Sequence, residues 1–100
     1  PGAPKLQIGV RFFTVLREVT HKKEETLEFS EKVTVENVLE KLSKEYGTPF
    51  TEYVYDTKTL EVKGFLQFFI NGNSVSALKG KGSELRNGDV LAIVPPVGGG

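Results

Sequence analysis

The chain has 100 residues, of which 38% are hydrophobic and 26% are charged, and its formal net charge is zero. This length fits one domain, and the balanced charge argues against a nucleic acid or an anionic membrane as a partner held by bulk charge. No apolar run reaches the length of about 18 residues that a transmembrane helix needs, and no signal peptide is visible. The absence of cysteine excludes a disulfide framework, a thiolate metal site and a cysteine nucleophile, and it favours an intracellular, cytoplasmic protein.

Alternating side chains predict two strands at the start of the chain. Residues 5–12 alternate apolar and polar side chains, and Phe13 then falls on the opposite, otherwise polar face. The core-facing residues of this strand are Leu6, Ile8, Val10 and Phe12. Residues 14–23 are a turn region with room for one short helical turn. Residues 26–29 predict a second strand, which we expect to form an antiparallel hairpin with the first.

A threonine cap and a glycine stop bound the clearest helix. Thr34 can accept hydrogen bonds from N–H groups of the first turn, and Gly47 followed by Pro49 is the usual order of stop signals. The residues between them form one apolar stripe at helical spacing. The stripe comprises Val35, Val38, Leu39, Leu42 and Tyr46. We expect this helix to pack across the sheet.

Residues 48–64 carry the weakest pattern of the chain. Three residues there, Phe50, Tyr53 and Val54, are candidates for covering one end of the sheet. Residues 56–59 are turn-like, and residues 60–62 can pair as a short edge strand.

The last third of the chain predicts a hairpin and a central strand. Residues 65–70 are β-forming throughout. The pair Asn71-Gly72 is a strong hairpin signal because both positions tolerate φ > 0, and the chain returns over residues 73–76. Residues 90–94 are apolar at every position, so we expect a central strand that is covered on much of both faces.

This order of elements predicts an α+β chain with a β-grasp, ubiquitin-like fold. A helix follows a hairpin and packs on a mixed sheet of four to five strands, in which the last strand runs parallel to the first. We expect the domain to span residues 5–94, with a disordered segment at residues 1–4 and a flexible diglycine tail at residues 95–100. The free protein is expected to be a monomer.

The tail, Pro95-Pro96-Val97-Gly98-Gly99-Gly100, has no side-chain chemistry. Its glycines make a backbone thin enough for a narrow channel, and its prolines make a stiff base. Fully extended, the tail reaches roughly 20 Å and leaves the α-carboxylate of Gly100 at its tip. Our hypothesis is that this carboxylate is the functional group. The alternative is that a glycine-rich end is a linker remnant.

Signatures of enzymes are missing from the sequence, so we expect no catalytic residue, no metal site and no bound cofactor. It contains no Cys/His ligand set, Walker loop or G-x-S-x-G motif. His21 lies among lysines in a charged turn and is expected to be solvated. Gly80 and Gly82 form an isolated G-x-G outside a strand-to-helix pattern, so a phosphate cradle is not expected.

Two segments resemble the MoaD and ThiS family of ubiquitin-like proteins. Residues 12–18, Phe-Phe-Thr-Val-Leu-Arg-Glu, resemble its F-F/A-x-x-L-R-E segment, and residues 85–100 resemble its ending L-x-x-G-D-E-V-A-x-x-P-P-V-[ST]-G-G. The chain is also similar to small archaeal modifier proteins, which share that ending and are commonly longer in the middle, as at residues 48–64. Gly98 departs from the family's Ser or Thr, and Val90 occupies the position of its Glu.

The resemblance implies a macromolecular substrate rather than an enzyme. An E1-like partner would use ATP and magnesium to join Gly100 to AMP. A thiol and then a target-protein lysine would next form an isopeptide bond, which makes the chain a ubiquitin-like protein modifier. In the alternative, a persulfide forms a C-terminal thiocarboxylate, and the chain is a sulfur carrier such as the small subunit of molybdopterin synthase, with the large subunit as its partner. A non-covalent β-grasp adaptor with an idle tail is the second alternative.

The resemblance also implies a partner-binding surface. Carried over by position, the family's partner-facing apolar residues fall on Phe13 and Val94, and we add Phe69 from its face of the strand at residues 65–70. A third family contact falls near Ser74, which is polar here, and it is not transferred. The tail residues 95–99 are expected to enter the partner's channel.

Overall fold

The structure, a computed structural model, describes residues 5–75 and 82–96. Within these ranges the strands are β1 (Leu6–Phe12), β2 (Glu24–Phe29), β3 (Val33–Thr34), β4 (Gln67–Ile70), β5 (Asn73–Val75), β6 (Glu84–Leu85) and β7 (Val90–Val94). The helices are α1 (Val15–Thr20), α2 (Val35–Tyr46) and α3 (Thr48–Val54). The predicted segment at residues 1–4, the last four tail residues and Gly80 lie outside the described residues.

A mixed five-stranded sheet has the order β2-β1-β7-β4-β5. β7 runs parallel to β1 and antiparallel to β4, so the last strand is central and parallel to the first, as predicted. The predicted hairpin between β4 and β5 is present, with φ of 51° at Asn71 and 86° at Gly72. Together with α2, this topology confirms the α+β, β-grasp fold.

Helix α2 begins where the sequence predicts, because its first turn is capped. The backbone N–H of Asn37 donates to Thr34 Oγ1 at 3.3 Å, and Thr34 N–H donates to Asn37 Oδ1 at 2.9 Å, which is a capping box. The apolar stripe of α2 packs into a single core with one face of the sheet. The buried apolar residues are Ile8, Val10, Phe12, Leu16, Leu27, Val33, Val35, Val38, Leu39, Leu42, Phe50, Val54, Val62, Leu66, Phe68, Leu85, Leu91 and Ile93.

The segment at residues 48–64 differs from the expectation in two ways. Pro49, predicted as a stop signal, lies in the first turn of α3, where a missing N–H costs no helical hydrogen bond. The predicted edge strand at residues 60–62 is reduced to one bridge between Val62 and Tyr55. Leu60 has a φ of 64° and is 76% exposed, which is incompatible with a strand. Phe50 and Val54 are buried, as the apolar pattern indicated.

Three further details correct the sequence-based expectations. The strand predicted at residues 65–70 begins at Gln67, and Phe65 is 46% exposed. The pairing of β3 with β6 into a small antiparallel sheet was not predicted. The expected cover on both faces of β7 is wrong, because Val90 is 36% exposed and only alternate residues of the strand are buried.

A polar cluster ties β2 to the end of α2. The Tyr46 hydroxyl donates to the Glu25 carboxylate, and Lys22 Nζ lies 3.5 Å from Glu25 and 3.8 Å from Glu45. Burial acts to raise the pKa of Glu25, but the hydrogen bond from Tyr46 and the neighbouring Glu45 and Lys22 outweigh it, so that pKa lies below its ordinary value. Burial and the Glu25 carboxylate raise the pKa of Tyr46.

Replacing Tyr46 with phenylalanine removes the hydroxyl that holds Glu25. We expect Tyr46→Phe to lower the unfolding free energy at pH 7 by about 1.5–3 kcal/mol, the usual size for a hydrogen bond to a charged group. The difference from the parent protein should shrink below about pH 4, because a carboxyl with a lowered pKa loses its stabilising effect as the pH falls. It should also shrink above about pH 10, since a raised tyrosine pKa stabilises the fold only while the hydroxyl is protonated.

Urea denaturation of Tyr46→Phe and Tyr53→Phe across this pH range provides the measurement and its control. Tyr53 is half-buried, and its hydroxyl forms no hydrogen bond within the described residues. Tyr53→Phe should therefore change the unfolding free energy by less than about 0.5 kcal/mol. Equal losses in the two variants would contradict the role of the Tyr46 hydroxyl.

Candidate functional site

The face of the sheet opposite α2 carries the side chains that alternate with the core residues. Arg11 of β1 pairs with Ala92 of β7, Ala92 pairs with Phe69 of β4, and Phe69 pairs with Ser74 of β5. Since residues in register project to the same side of a sheet, these four side chains form one row across this face. We call it the open face.

A second row brings the other predicted residues to the open face. Phe12 pairs with Ile93, so the residues that follow them, Phe13 and Val94, continue this register side by side. Val94 also pairs with Gln67 of β4. Phe13, Val94 and Phe69 are all half-buried rather than part of the core. The structure therefore places these three residues on one face, and their contact with a partner stays a prediction.

Two arginines hold the ring of Phe13. The Cζ atom of Arg11 lies 5.7 Å from the ring centroid, and that of Arg17 lies 5.4 Å from it. Arg17 is fixed further, because its Nε donates to the Phe12 carbonyl oxygen at 2.9 Å. Within the described residues neither guanidinium forms an ion pair. The open face therefore presents an aromatic ring beside two guanidiniums, and Glu24 of β2 lies opposite Arg11 in register without forming an ion pair in the described part of the chain.

The tail leaves the fold beside this ring. β7 ends at Val94, Pro95 is buried and Pro96 is exposed, so the first proline anchors the base of the tail. Val97, Gly98, Gly99 and Gly100 lie outside the described residues. β7 thus contributes Ala92 and Val94 to the open face and also leads directly into the base of the tail.

Asp89 of the Gly-Asp motif fixes the start of β7. Its carboxylate accepts from Asn71 Nδ2 at 2.9 Å and from the backbone N–H of Arg86 at 2.8 Å. Asn71 Oδ1 in turn accepts from Val90 N–H at 2.9 Å. The hairpin turn and the turn before β7 are joined in this way, which holds β7 in register. This link was not predicted, because the two turns are far apart along the chain.

Arg17 belongs to the segment that resembles the family motif, but no functional role for Arg11 or Arg17 was predicted from the sequence. The order of charges along the sequence does not predict that both arginines contact Phe13, because the two guanidiniums approach its ring from different elements. His21 is exposed, as expected, and its left-handed backbone (φ 61°) ends α1.

The described residues hold no group of three or more His, Asp or Glu side chains arranged to bind a metal ion. No helix among them has the length and apolar character that crossing a bilayer requires.

Known proteins of similar length match this chain. Residues 10–100 match the model of the ThiS family. The chain is 33% identical over 95 residues to small archaeal modifier protein 3 of Haloferax volcanii, a match that covers 95% of this chain and 100% of that protein. It is 34% identical over 71 residues to a protein of Archaeoglobus fulgidus assigned as a sulfur carrier, covering 71% of this chain and 78% of the other.

A solved structure of a relative has the same fold. Small archaeal modifier protein 1 of Methanosarcina acetivorans superposes with a TM-score of 0.75 and 31% identity, covering 98% of this chain and 100% of that one. The relatives are thus small archaeal modifier proteins and a protein assigned as a sulfur carrier.

We predict that alanine substitution separates two adjacent phenylalanines. Phe12 is fully buried, so Phe12→Ala should lower the unfolding free energy by about 3–5 kcal/mol. Phe13 is half-buried on the open face, so Phe13→Ala should cost about 1 kcal/mol or less. Urea denaturation followed by circular dichroism measures both. A loss for Phe13→Ala as large as that for Phe12→Ala would show that its ring belongs to the core.

Proposed function

We propose that this chain, which belongs to the ThiS family, is a ubiquitin-like protein that acts through the carboxylate of Gly100. The observation that carries the proposal is the continuity of β7 with the tail. Val94 lies on the open face, the buried Pro95 anchors the next position, and the family match runs through Gly100. A partner bound to the open face would therefore receive the tail in a defined direction.

The proposed chemistry is activation of a carboxylate, which is a poor electrophile when ionised. An oxygen of the Gly100 carboxylate attacks the α-phosphorus of ATP on an E1-like partner, and pyrophosphate leaves. The product is a mixed anhydride with AMP as its leaving group. The partner supplies magnesium and the cationic groups that stabilise the transferring phosphoryl group. This chain supplies an end with no Cβ, which fits a narrow site.

We propose protein modification as the main fate of the adenylate. A thiol displaces AMP, and a lysine amine of a target protein then displaces the thiol, which leaves an isopeptide bond. The match to small archaeal modifier protein 3 of Haloferax volcanii, which extends over that protein's full length, supports this fate. The second candidate is sulfur transfer, in which a persulfide displaces AMP and a reducing thiol releases the thiocarboxylate of Gly100. The ThiS family match and the relative assigned as a sulfur carrier support the second.

Deleting two tail residues tests the shared first step. The full chain and a variant lacking Gly99 and Gly100 are each incubated with a cognate E1-like enzyme and MgATP, and the intact masses are measured. We expect the mass of one adenylate on the full chain and none on the truncated chain. No adenylate on the full chain, with an enzyme that activates another family member, would contradict the proposal.

Two readouts separate the fates once the adenylate is seen. Tagged protein in cells should appear in high-mass bands that resist thiol reductants, if lysines are the acceptors. The exchange of one oxygen for one sulfur in the free protein, without such bands, would assign the chain to sulfur transfer instead.

The open face should bind a partner surface that is apolar at its centre and acidic at its edge. Phe13→Ala should weaken binding of the E1-like enzyme by about tenfold, since a buried aromatic ring is a typical hot spot. Arg17→Glu should weaken it by about tenfold at low salt, because a positive charge beside the ring becomes negative, and added salt should reduce the difference. Calorimetric titration measures both affinities.

Lys32→Glu makes the same change of charge on an exposed loop between β2 and β3 and serves as the control. It should leave the affinity within about twofold of the parent protein. Equal losses for Arg17→Glu and Lys32→Glu would point to bulk charge and would contradict a defined acidic contact.

A further inference from the structure

A groove of about 550 Å³ lies between α2 and the segment that follows α3. Glu36, Glu40 and Ser43 line one wall, and their spacing places them on one face of the helix. Tyr55 and Leu60 line the other wall. The groove belongs to the helix layer, whereas the open face is the other side of the sheet, so the two surfaces do not compete for one partner.

Leu60 lies at this groove with an exposed side chain and an unfavourable backbone conformation. Its side chain is 76% exposed, and its φ of 64° is a left-handed conformation that leucine rarely adopts. Neither burial nor backbone preference accounts for a leucine at this position, where glycine would be relaxed. Residues held in such sparsely populated backbone conformations cluster at ligand-binding and switch regions.

The loop that carries Leu60 is held by its own hydrogen bonds. Leu60 N–H donates to the Asp56 carbonyl oxygen at 2.7 Å. Asp56 Oδ1 accepts from the backbone N–H groups of Lys58 at 2.8 Å and of Thr59 at 3.1 Å. The loop then returns to the core at Val62, which is buried. The backbone that carries Leu60 is therefore held in position, which reduces the entropy that the loop loses when a partner packs against it.

The groove is acidic on its helical wall. Burial, then the charges of Glu40 and Glu36, raise the pKa of Tyr55 to about 12, so both carboxylates act on the space in front of its hydroxyl. Lys44 also lines the groove and offsets part of this charge. The Ser43 hydroxyl is buried and has no hydrogen-bond partner among the described residues.

We propose that this groove binds an extended segment of a partner protein that carries an aliphatic residue next to a lysine or arginine. The aliphatic side chain packs against Leu60 and the ring of Tyr55, and the cation lies between the carboxylates of Glu36 and Glu40. The volume lies within the range of about 300–1,000 Å³ that is usual for ligand sites. A protein with this segment could recognise the chain while its tail and open face are engaged.

Titration of the ¹⁵N-labelled full chain with two short peptides tests the proposal. The probes are acetyl-Lys-Leu-Lys-Leu amide and its acidic counterpart, acetyl-Glu-Leu-Glu-Leu amide, each added to about 5 mM, which is enough to detect weak binding. We expect the basic peptide to shift the backbone amides of residues 40, 43, 55 and 60, and the acidic peptide to leave them unchanged. Absence of these shifts, equal shifts with both peptides, or shifts centred on Phe13 and Phe69 would overturn the proposal.

Leu60→Gly separates binding from folding. Glycine suits the left-handed backbone, so this variant should keep or raise the melting temperature while it weakens binding of the basic peptide by about tenfold. The double variant Glu36→Gln/Glu40→Gln should weaken binding by about fivefold at low salt and remove most of its salt dependence. Glu31→Gln, on an exposed loop and outside the lining of the groove, is the control and should have no effect. A lower melting temperature for Leu60→Gly with unchanged peptide binding would show that the leucine serves the fold, and would overturn the proposal.

Discussion

Parallel pairing of the first and last strands is the constraint on which the other features of this molecule depend. Val10 pairs with Leu91 and Phe12 with Ile93, and all four side chains turn to the core beneath α2. The alternate residues of the same strands then have to face the other way, which creates the open face. The pairing also fixes where β7 ends, and therefore where the tail begins.

Although the net charge is zero, the open face and the groove carry different charged groups beside their apolar side chains. Arg11 and Arg17 bring two guanidiniums to the open face, while Glu36 and Glu40 bring carboxylates to the groove in the helix layer. The sheet and its core separate the two surfaces. Charge interactions at each surface are screened beyond about one Debye length, roughly 8 Å at physiological salt. The open face can therefore contact an acidic partner while the groove contacts a basic segment.

The proposed chemistry requires no nucleophile from this chain and depends instead on its shape. Adenylation, isopeptide formation and sulfur transfer all use the same carbonyl carbon of Gly100, and the fates differ in the nucleophile that displaces AMP. That nucleophile belongs to a partner. This chain contributes the open face of the sheet, an exit for the tail that is anchored at Pro95, and a glycine end without side chains. These contributions explain why a small sheet and one main helix suffice for the proposed role.

The sequence by itself determined β1, the cap of α2, the Asn71-Gly72 turn and the β-grasp order, because periodicity, capping and turn chemistry are local signals. It also placed Phe13 off the core face, since strand alternation alone decides that. Only the tertiary structure decided that Pro49 lies in the first turn of α3, because a glycine followed two residues later by a proline fits both the end of one helix and the start of the next. It also decided that Leu60 is exposed to solvent. The two arginines around Phe13 needed the structure as well, since contact between different elements depends on packing that no local pattern records.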